Sequence, residues 1–287
     1  MSLTVALLVL SSAFAHASWN AIVKSSKDPE NAIGAMMLIG GASGAVIALA
    51  MGTPMPPPIA MRWTILSGVL ESGYFVLLAR ALARAPLGSV YTIARGGALV
   101  VVWPVSVFVL DERVSLGHVA GTLLVIGGLT ATGAAGERRP AEGESDREKV
   151  RAGMLLAAGC ALFIGGYHLC YKLALSSGGA PAAVNAISLC IGATLSLVPM
   201  LHRRAQMIAA VVAQPKRTVA AGLLGTLGFL VFLSAMKDAG AGSVLTLRNT
   251  SILFAQVLSF ALGERPKRLG VAGAVLVTLG AAILAQA

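Results

Sequence analysis

Residues 88–92 read Gly-Ser-Val-Tyr-Thr, and residues 242–246 read Gly-Ser-Val-Leu-Thr, 154 positions later. The register extends outward from this pair. Phe75 and Ala81 meet Phe229 and Ala235 at the same offset, and after a two-residue gap Glu112-Arg113 returns as Glu264-Arg265. Val119-Ala120-Gly121 returns as Val271-Ala272-Gly273. Near the start of each half, Trp19-Asn20-x-x-x-Lys24 is echoed by Tyr167-His168-x-x-x-Lys172. A register held through several apolar segments marks a duplicated unit rather than chance similarity between hydrophobic stretches.

The segments carrying the repeat are those of a membrane. Of 287 residues, 56% are hydrophobic and 12% charged, where a soluble domain carries roughly 25% charged. That excludes an ordinary water-soluble globule, and the apolar content excludes disorder and collagen. The 33 glycines suit helices whose backbones approach closely in lipid. A bilayer core takes about 20 apolar residues per helix. Cutting at charged and proline-rich breaks leaves ten such runs, near 3–24, 31–52, 62–84, 87–110, 116–136, 151–176, 180–201, 218–237, 240–262 and 268–286. Lys27-Asp28-Pro29-Glu30 ends the first, Pro54 to Pro58 separates the second from the third, and Ala85-Pro86-Leu87-Gly88 makes a tight hairpin. Ala15-His16-Ala17 imitates a signal cleavage site, but no basic residue precedes Lys24 and the apolar run continues to Val23. The first run therefore reads as a retained helix.

Between the fifth and sixth runs, Glu137 to Lys149 holds five of the twelve acidic residues. It reads as a solvated linker, too short and polar to fold by itself. The organisation is a five-helix repeat over 1–136, a polar linker over 137–150 and a second five-helix repeat over 151–287. Five is odd, so the second copy enters the membrane in the opposite sense. The fold class is an all-α polytopic membrane protein with ten transmembrane helices in two inverted-topology repeats. That architecture is typical of transporters, with a substrate site at the midplane between repeats.

The net charge is +10, yet the basic residues fall in short segments between apolar runs, which is a topology signal and not a nucleic-acid surface. With both termini outside, the cytoplasmic loops collect sixteen basic residues and the opposite face four (Arg62, Arg113, Lys172 and Lys237). The count places the termini outside.

Few ionisable groups lie deep within the runs. Glu71 is the one acid there, and Arg95 and Arg248 sit well inside the fourth and ninth helices. Charges at such depth are costly, face an interior cavity and read as functional; the structural alternative is a bridge between Glu71 and an arginine. Thr92-x-x-Arg95 and Thr246-x-Arg248-Asn249 put polar groups at matching points of the repeats. On the first helix His16, Asn20 and Lys24 share one face with Trp19 beside them, and His168 with Lys172 repeats the last two steps. Lys24 and Lys172 lie near helix ends, where lysines snorkel to the interface. The histidines are candidates for interhelical hydrogen bonds or proton relay. Tyr74, Tyr91, Trp103 and Gln256 could shape a pocket or simply pack. Gly40-x-x-x-Gly44 reads as a helix contact or a homodimer face. Cys160, Cys170 and Cys190 show no metal or disulfide spacing, and no phosphate-binding glycine loop or nucleophile elbow is present. No cofactor, metal or enzymatic activity is expected.

The chain resembles the drug/metabolite transporter superfamily, specifically bacterial proteins with two EamA domains, over essentially its whole length. The resemblance is carried by Trp19-x4-Lys24, by the stretch from Gly88 to Trp103-Pro104, and by Leu110-Asp111-Glu112-Arg113 and Leu262-Gly263-Glu264-Arg265 ahead of glycine-rich helices. The His16-x-x-Trp19-Asn20 opening also resembles a subgroup found near phosphonate-utilisation functions. One departure is Leu258, where the fourth helix has Pro104 and the family often has proline in both. Many family members are thought to keep both termini inside, against the charge count.

The resemblance implies a bacterial inner-membrane carrier of small molecules. The residues themselves point to a secondary transporter of a small anionic metabolite, with proton coupling through Glu71. The candidate substrate-binding residues are Arg95, Arg248, Glu71, His16, Asn20, Trp19, Tyr74, Tyr91, His168 and Asn249. The alternative is a lipid or lipid-linked-headgroup flippase of the same fold.

Overall fold

The computed structural model describes residues 3–110, 115–137, 144–238, 247–264 and 267–284. The second motif copy at 242–246, Asp111-Glu112-Arg113, Arg138, Arg139 and Arg265 lie outside these residues, as do the side chains of Trp103 and Pro104. The described residues are helical, with no strand among them. In order they form α1 (Leu3–Lys24), α2 (Pro29–Ala50), α3 (Pro58–Arg84), α4 (Leu87–Leu110), α5 (Leu116–Glu137) and α6 (Glu144–Ser176). Then follow α7 (Pro181–Leu197), a 3-10 turn (Val198–Arg203), α8 (Arg204–Ala213), α9 (Pro215–Asp238), α10 (Ser251–Ala261) and α11 (Arg268–Leu284).

Proline starts several of these helices because the first helical N–H needs no partner. Pro29 opens α2 behind Asp28, whose side chain accepts from the Asn31 N–H at 3.1 Å. Pro58 and Pro181 open α3 and α7 in the same way. Ala85 is extended, with φ −134° and ψ 160°, as a residue preceding proline prefers. The hairpin between α3 and α4 turns there.

Among the described residues, five helices are long and apolar enough to cross a bilayer: 3–24, 29–50, 58–84, 146–176 and 215–237. The described apolar stretches of α4, α5 and α11 are shorter, at 87–101, 119–132 and 268–283. Two expectations are corrected. The run expected over 180–201 stops as α-helix at Leu197, and the chain bends by 75° into α8. Pro199, within the 3-10 turn, removes the N–H that would continue α-helical bonding. The segment before 151 is also not all irregular, since α6 begins at Glu144. Asp146 and Glu148 fall in its first turns, where acids complement the positive helix end, and the apolar turns beyond propagate the helix back through them.

Packing follows the small residues. Gly121 and Gly273, equivalent in the two repeats, both lie where α5 crosses α11; a Cβ on Gly273 would stand 2.6 Å from the Gly128 carbonyl oxygen, and one on Gly280 2.6 Å from that of Gly121. Backbones this close leave no room for any side chain. Gly40 and Gly44 pack inside the chain, against Thr226 of α9 and Ala186 of α7. The Thr226 hydroxyl donates to the Gly40 carbonyl at 2.9 Å. Of the two readings of that motif, the helix contact is the one observed.

One end of the bundle is tied by charge. Glu30 at the start of α2 meets Arg84 at the end of α3 and Arg203 beyond α7, each at 3.5 Å. Nearby, Lys24 does not snorkel. Its Nζ donates to the Leu82 and Ala85 carbonyls at 2.7 and 2.8 Å and lies 3.5 Å from Glu264 Oε1.

Candidate functional site

The polar stripe of α1 turns inward. His16, Trp19 and Asn20 are all buried. Trp19 Nε1 donates to His16 Nδ1 at 3.1 Å, so a neutral His16 carries its hydrogen on Nε2. That Nε2 and Asn20 Oδ1 have no hydrogen-bond partner among the described residues. From α4, Tyr91 packs edge-on to His16 with ring centroids 5.8 Å apart. Its hydroxyl is also without a partner among the described residues.

Glu71 is buried on α3 and forms no ion pair among the described residues, so the bridge to an arginine is not what holds it. Its Oε2 accepts from the Ser188 hydroxyl at 2.9 Å. Ser188 Oγ in turn accepts from Tyr171 at 2.7 Å and from Ser67 at 2.9 Å. Three hydroxyls from α3, α6 and α7 therefore orient one carboxylate. An ionised carboxylate has about four lone-pair positions, so acceptor capacity remains.

The two arginines differ in their surroundings. Arg95 on α4 is 5% exposed, and its Nε and Nη2 have no partner among the described residues. Tyr91, Tyr167 and Tyr74 are its electrostatic neighbours. Arg248 is 1% exposed and belongs to the helical residues just before Thr250 breaks the path into α10. Its guanidinium carbon lies 3.6 Å from the Phe232 ring centroid and 4.6 Å from that of Phe229. Nε, Nη1 and Nη2 all lack a hydrogen-bond acceptor among the described residues. Arg95 and Glu71 are both within electrostatic range of it.

Between these groups lies a cavity of about 40 Å³, room for a few water molecules. Its wall includes His16, Trp19, Glu71 and Tyr74, four of the residues singled out from sequence, together with Phe75, Tyr167, Thr226 and Phe229. Arg95, Arg248, Asn20, Tyr91, His168 and Asn249 are buried but do not form this wall. Arg248 is joined to it through Phe229. His168 is joined through Tyr167, with ring centroids 4.5 Å apart, and uses Nδ1 on the Ile164 carbonyl at 2.8 Å.

Tyr167, Phe229, Phe232, Tyr171 and Ser188 were not among the expected site residues. The first two had a visible signal. Tyr167 is the repeat equivalent of Trp19, and Phe229 that of Phe75, and all four line the cavity. Each repeat thus contributes the same two positions to one wall. Tyr171 and Ser188 carry no such mark, since a hydroxyl becomes part of a site only through what it meets.

A family model described as the EamA-like transporter family matches residues 3–133 and, a second time, residues 151–286. A solved crystal structure superposes with a TM-score of 0.63 over 99% of this chain and 96% of that one. At 20% identity it shows the fold alone. No curated protein matches the chain.

Proposed function

The chain belongs to the EamA-like transporter family, a multi-pass membrane transporter of the drug/metabolite type, and from that premise we propose that it is a secondary transporter of a small anionic metabolite. Arg248 carries the proposal. A buried charge without a partner costs several kcal/mol, and stacking on aromatic rings returns about 2 kcal/mol when desolvated. The two phenylalanines therefore hold Arg248 in place without satisfying it. A substrate oxyanion would take up the donors of its planar fork that have no acceptor among the described residues, and Arg95 would add a second attraction within the same low-dielectric interior.

A cavity for a few waters does not hold a metabolite, so loading requires the helices around it to separate. Two five-helix units over 1–136 and 151–287, joined through 137–150, would rock about this centre with opposite orientation in the membrane. The matched wall positions Trp19 with Tyr167 and Phe75 with Phe229 support that arrangement. The meeting of Glu30 with Arg84 and Arg203 supports an alternating path, because it gathers three connections at one membrane face. The charge count would put that face in the cytoplasm and leave both termini outside, and the family resemblance would make the membrane a bacterial inner one. Glu71, held only by hydroxyls, is the group to exchange a proton with each cycle.

The test is uptake of labelled small anions into proteoliposomes, run beside fluorescent-lipid scrambling in the same vesicles. We expect gradient-driven anion uptake, with Arg248→Lys lowering apparent affinity by at least about tenfold while the unfolding temperature holds, because lysine cannot form the two-pronged contact. Glu71→Gln should bind substrate and fail to accumulate it against a gradient. Scrambling without metabolite uptake would replace this reading with a flippase, and unchanged affinity in both Arg248→Lys and Arg95→Lys would remove the anion site.

A further inference from the structure

The transport reading requires the central cavity to be shut from at least one side, and the cluster around Lys24 lies where such a closure belongs. On α1, Lys24 stands five residues beyond Trp19 and eight beyond His16, both in the cavity wall. At 1.5 Å per residue that is about 8–12 Å toward the membrane face. The cluster also joins the repeats. Lys24, Leu82, Ala85, Leu87 and Gly88 belong to the first, and Gln256, Ser259 and Glu264 to the second.

Its chemistry is matched to two helix ends that meet at one hairpin. The last carbonyls of α3 are without helical partners, and Lys24 takes those of Leu82 and Ala85. Its cation also suits the negative end of that helix. The first N–H of α4 is equally unpaired within its helix, and Glu264 Oε2 accepts it from Leu87 at 2.9 Å. Ser259 donates to the same carboxylate oxygen and accepts weakly from the Gly88 N–H at 3.4 Å. Gln256 Nε2 donates to the Gly88 carbonyl at 3.2 Å and to Thr92 Oγ1 at 3.1 Å. A Cβ on Gly88 would come within 2.5 Å of Gln256 Oε1, so a side chain there would push the Gln256 amide out of its place in the cluster.

We propose that Lys24 and Glu264, with Ser259 and Gln256, form a reversible latch that closes the cavity toward the face where α3 turns into α4. The Lys24 and Glu264 side chains are 20% and 15% exposed, so water reaches both charges as they part. The latch can therefore open without stranding a bare ion, which the fully enclosed Arg248 could not do. Opening frees the α3–α4 hairpin from α10 and gives the cavity its path out.

The experiment uses the full chain with Cys160, Cys170 and Cys190 replaced and one reporter, Leu189→Cys, in the cavity wall. Impermeant maleimide is applied to sealed vesicles of each orientation. Labelling from the Lys24 face should be slow with the latch intact. It should rise about tenfold in Lys24→Met and in Glu264→Gln, the population change expected from losing one charged hydrogen bond. Lys27→Gln, an exposed charge on the same face, should leave the rate unchanged. A rate unaltered in both latch variants overturns the proposal. The paired Lys24→Cys and Glu264→Cys variant, joined by a short cleavable linker, adds an independent arm. Linking should stop substrate flux in proteoliposomes, and cleavage should restore it; undiminished flux through the linked protein also overturns the latch. Absence of flux in the protein that keeps Lys24 and Glu264 counts against the transport reading, while the maleimide rates still decide the latch.

Discussion

Lys24 and Lys172 occupy the same place in the two repeats, and they do different things. Lys24 is drawn between two helices and bound by two carbonyls and a carboxylate, whereas Lys172 is exposed and makes no ion pair among the described residues. The same contrast holds for the arginines. Arg248 presses on two aromatic rings, and position 249, the exact repeat counterpart of Arg95, is asparagine. A duplicated sequence thus supplies equivalent positions, and the packed chain gives them unequal tasks. An alternating carrier needs that inequality, since one mouth must be tied while the other is free to change.

Three measurements bear on this difference, in falling order of expected effect. Lys24→Met removes a charged donor from two partly buried carbonyls and leaves Glu264 without its cation, so it should lower stability by about 1.5–3 kcal/mol. Lys172→Met should change it by less than about 0.5 kcal/mol, as exposed substitutions do. Equal losses, read by thermal unfolding in detergent, would mean that the two positions are structurally alike. Next, Phe229→Leu and Phe75→Leu both shorten the cavity wall, but only Phe229 stacks on the guanidinium. Anion affinity should fall further in Phe229→Leu by about 1 kcal/mol, a typical cation–π contribution. Direct binding titrations of both variants check this, and identical affinities would detach Arg248 from the substrate. The smallest effect is expected at the surface. Arg203→Gln breaks an exposed ion pair with Glu30 and should cost no more than about 1 kcal/mol, declining with added salt.

The fold was legible to the extent that local composition controls it. Apolar runs bounded by Asp28-Pro29, Pro58 and Ala85-Pro86 became α1 to α4 nearly where expected, because proline and charge act on the residues next to them. Pro199 is equally visible, but the apolar run continues across it to Leu201, so hydropathy gives no sign of the bend into α8. The site was legible in part. His16, Trp19, Glu71 and Tyr74 stood out as polar or amphipathic groups inside apolar helices, and all four line the cavity. Lys24 misled, because a lysine at a helix end looks the same whether it reaches water or a neighbouring helix.

Burial of Glu71, Arg95 and Arg248 followed from sequence alone, since a charge in the middle of an apolar helix has no route to solvent except through the protein. The repeat followed as well, because equivalent residues keep their spacing whatever the chain folds into. Partners did not. Glu71 meets a hydroxyl 117 residues away, Leu87 meets a carboxylate 177 residues away, and Arg248 meets rings on another helix. Such pairs depend on how helices cross, and crossing is set by the sum of many weak packing contacts at glycines such as Gly128 and Gly273. No single stretch of sequence contains that sum, so only the tertiary structure could decide which arginine stacks on a ring of the cavity wall and which lysine is bound between two helices.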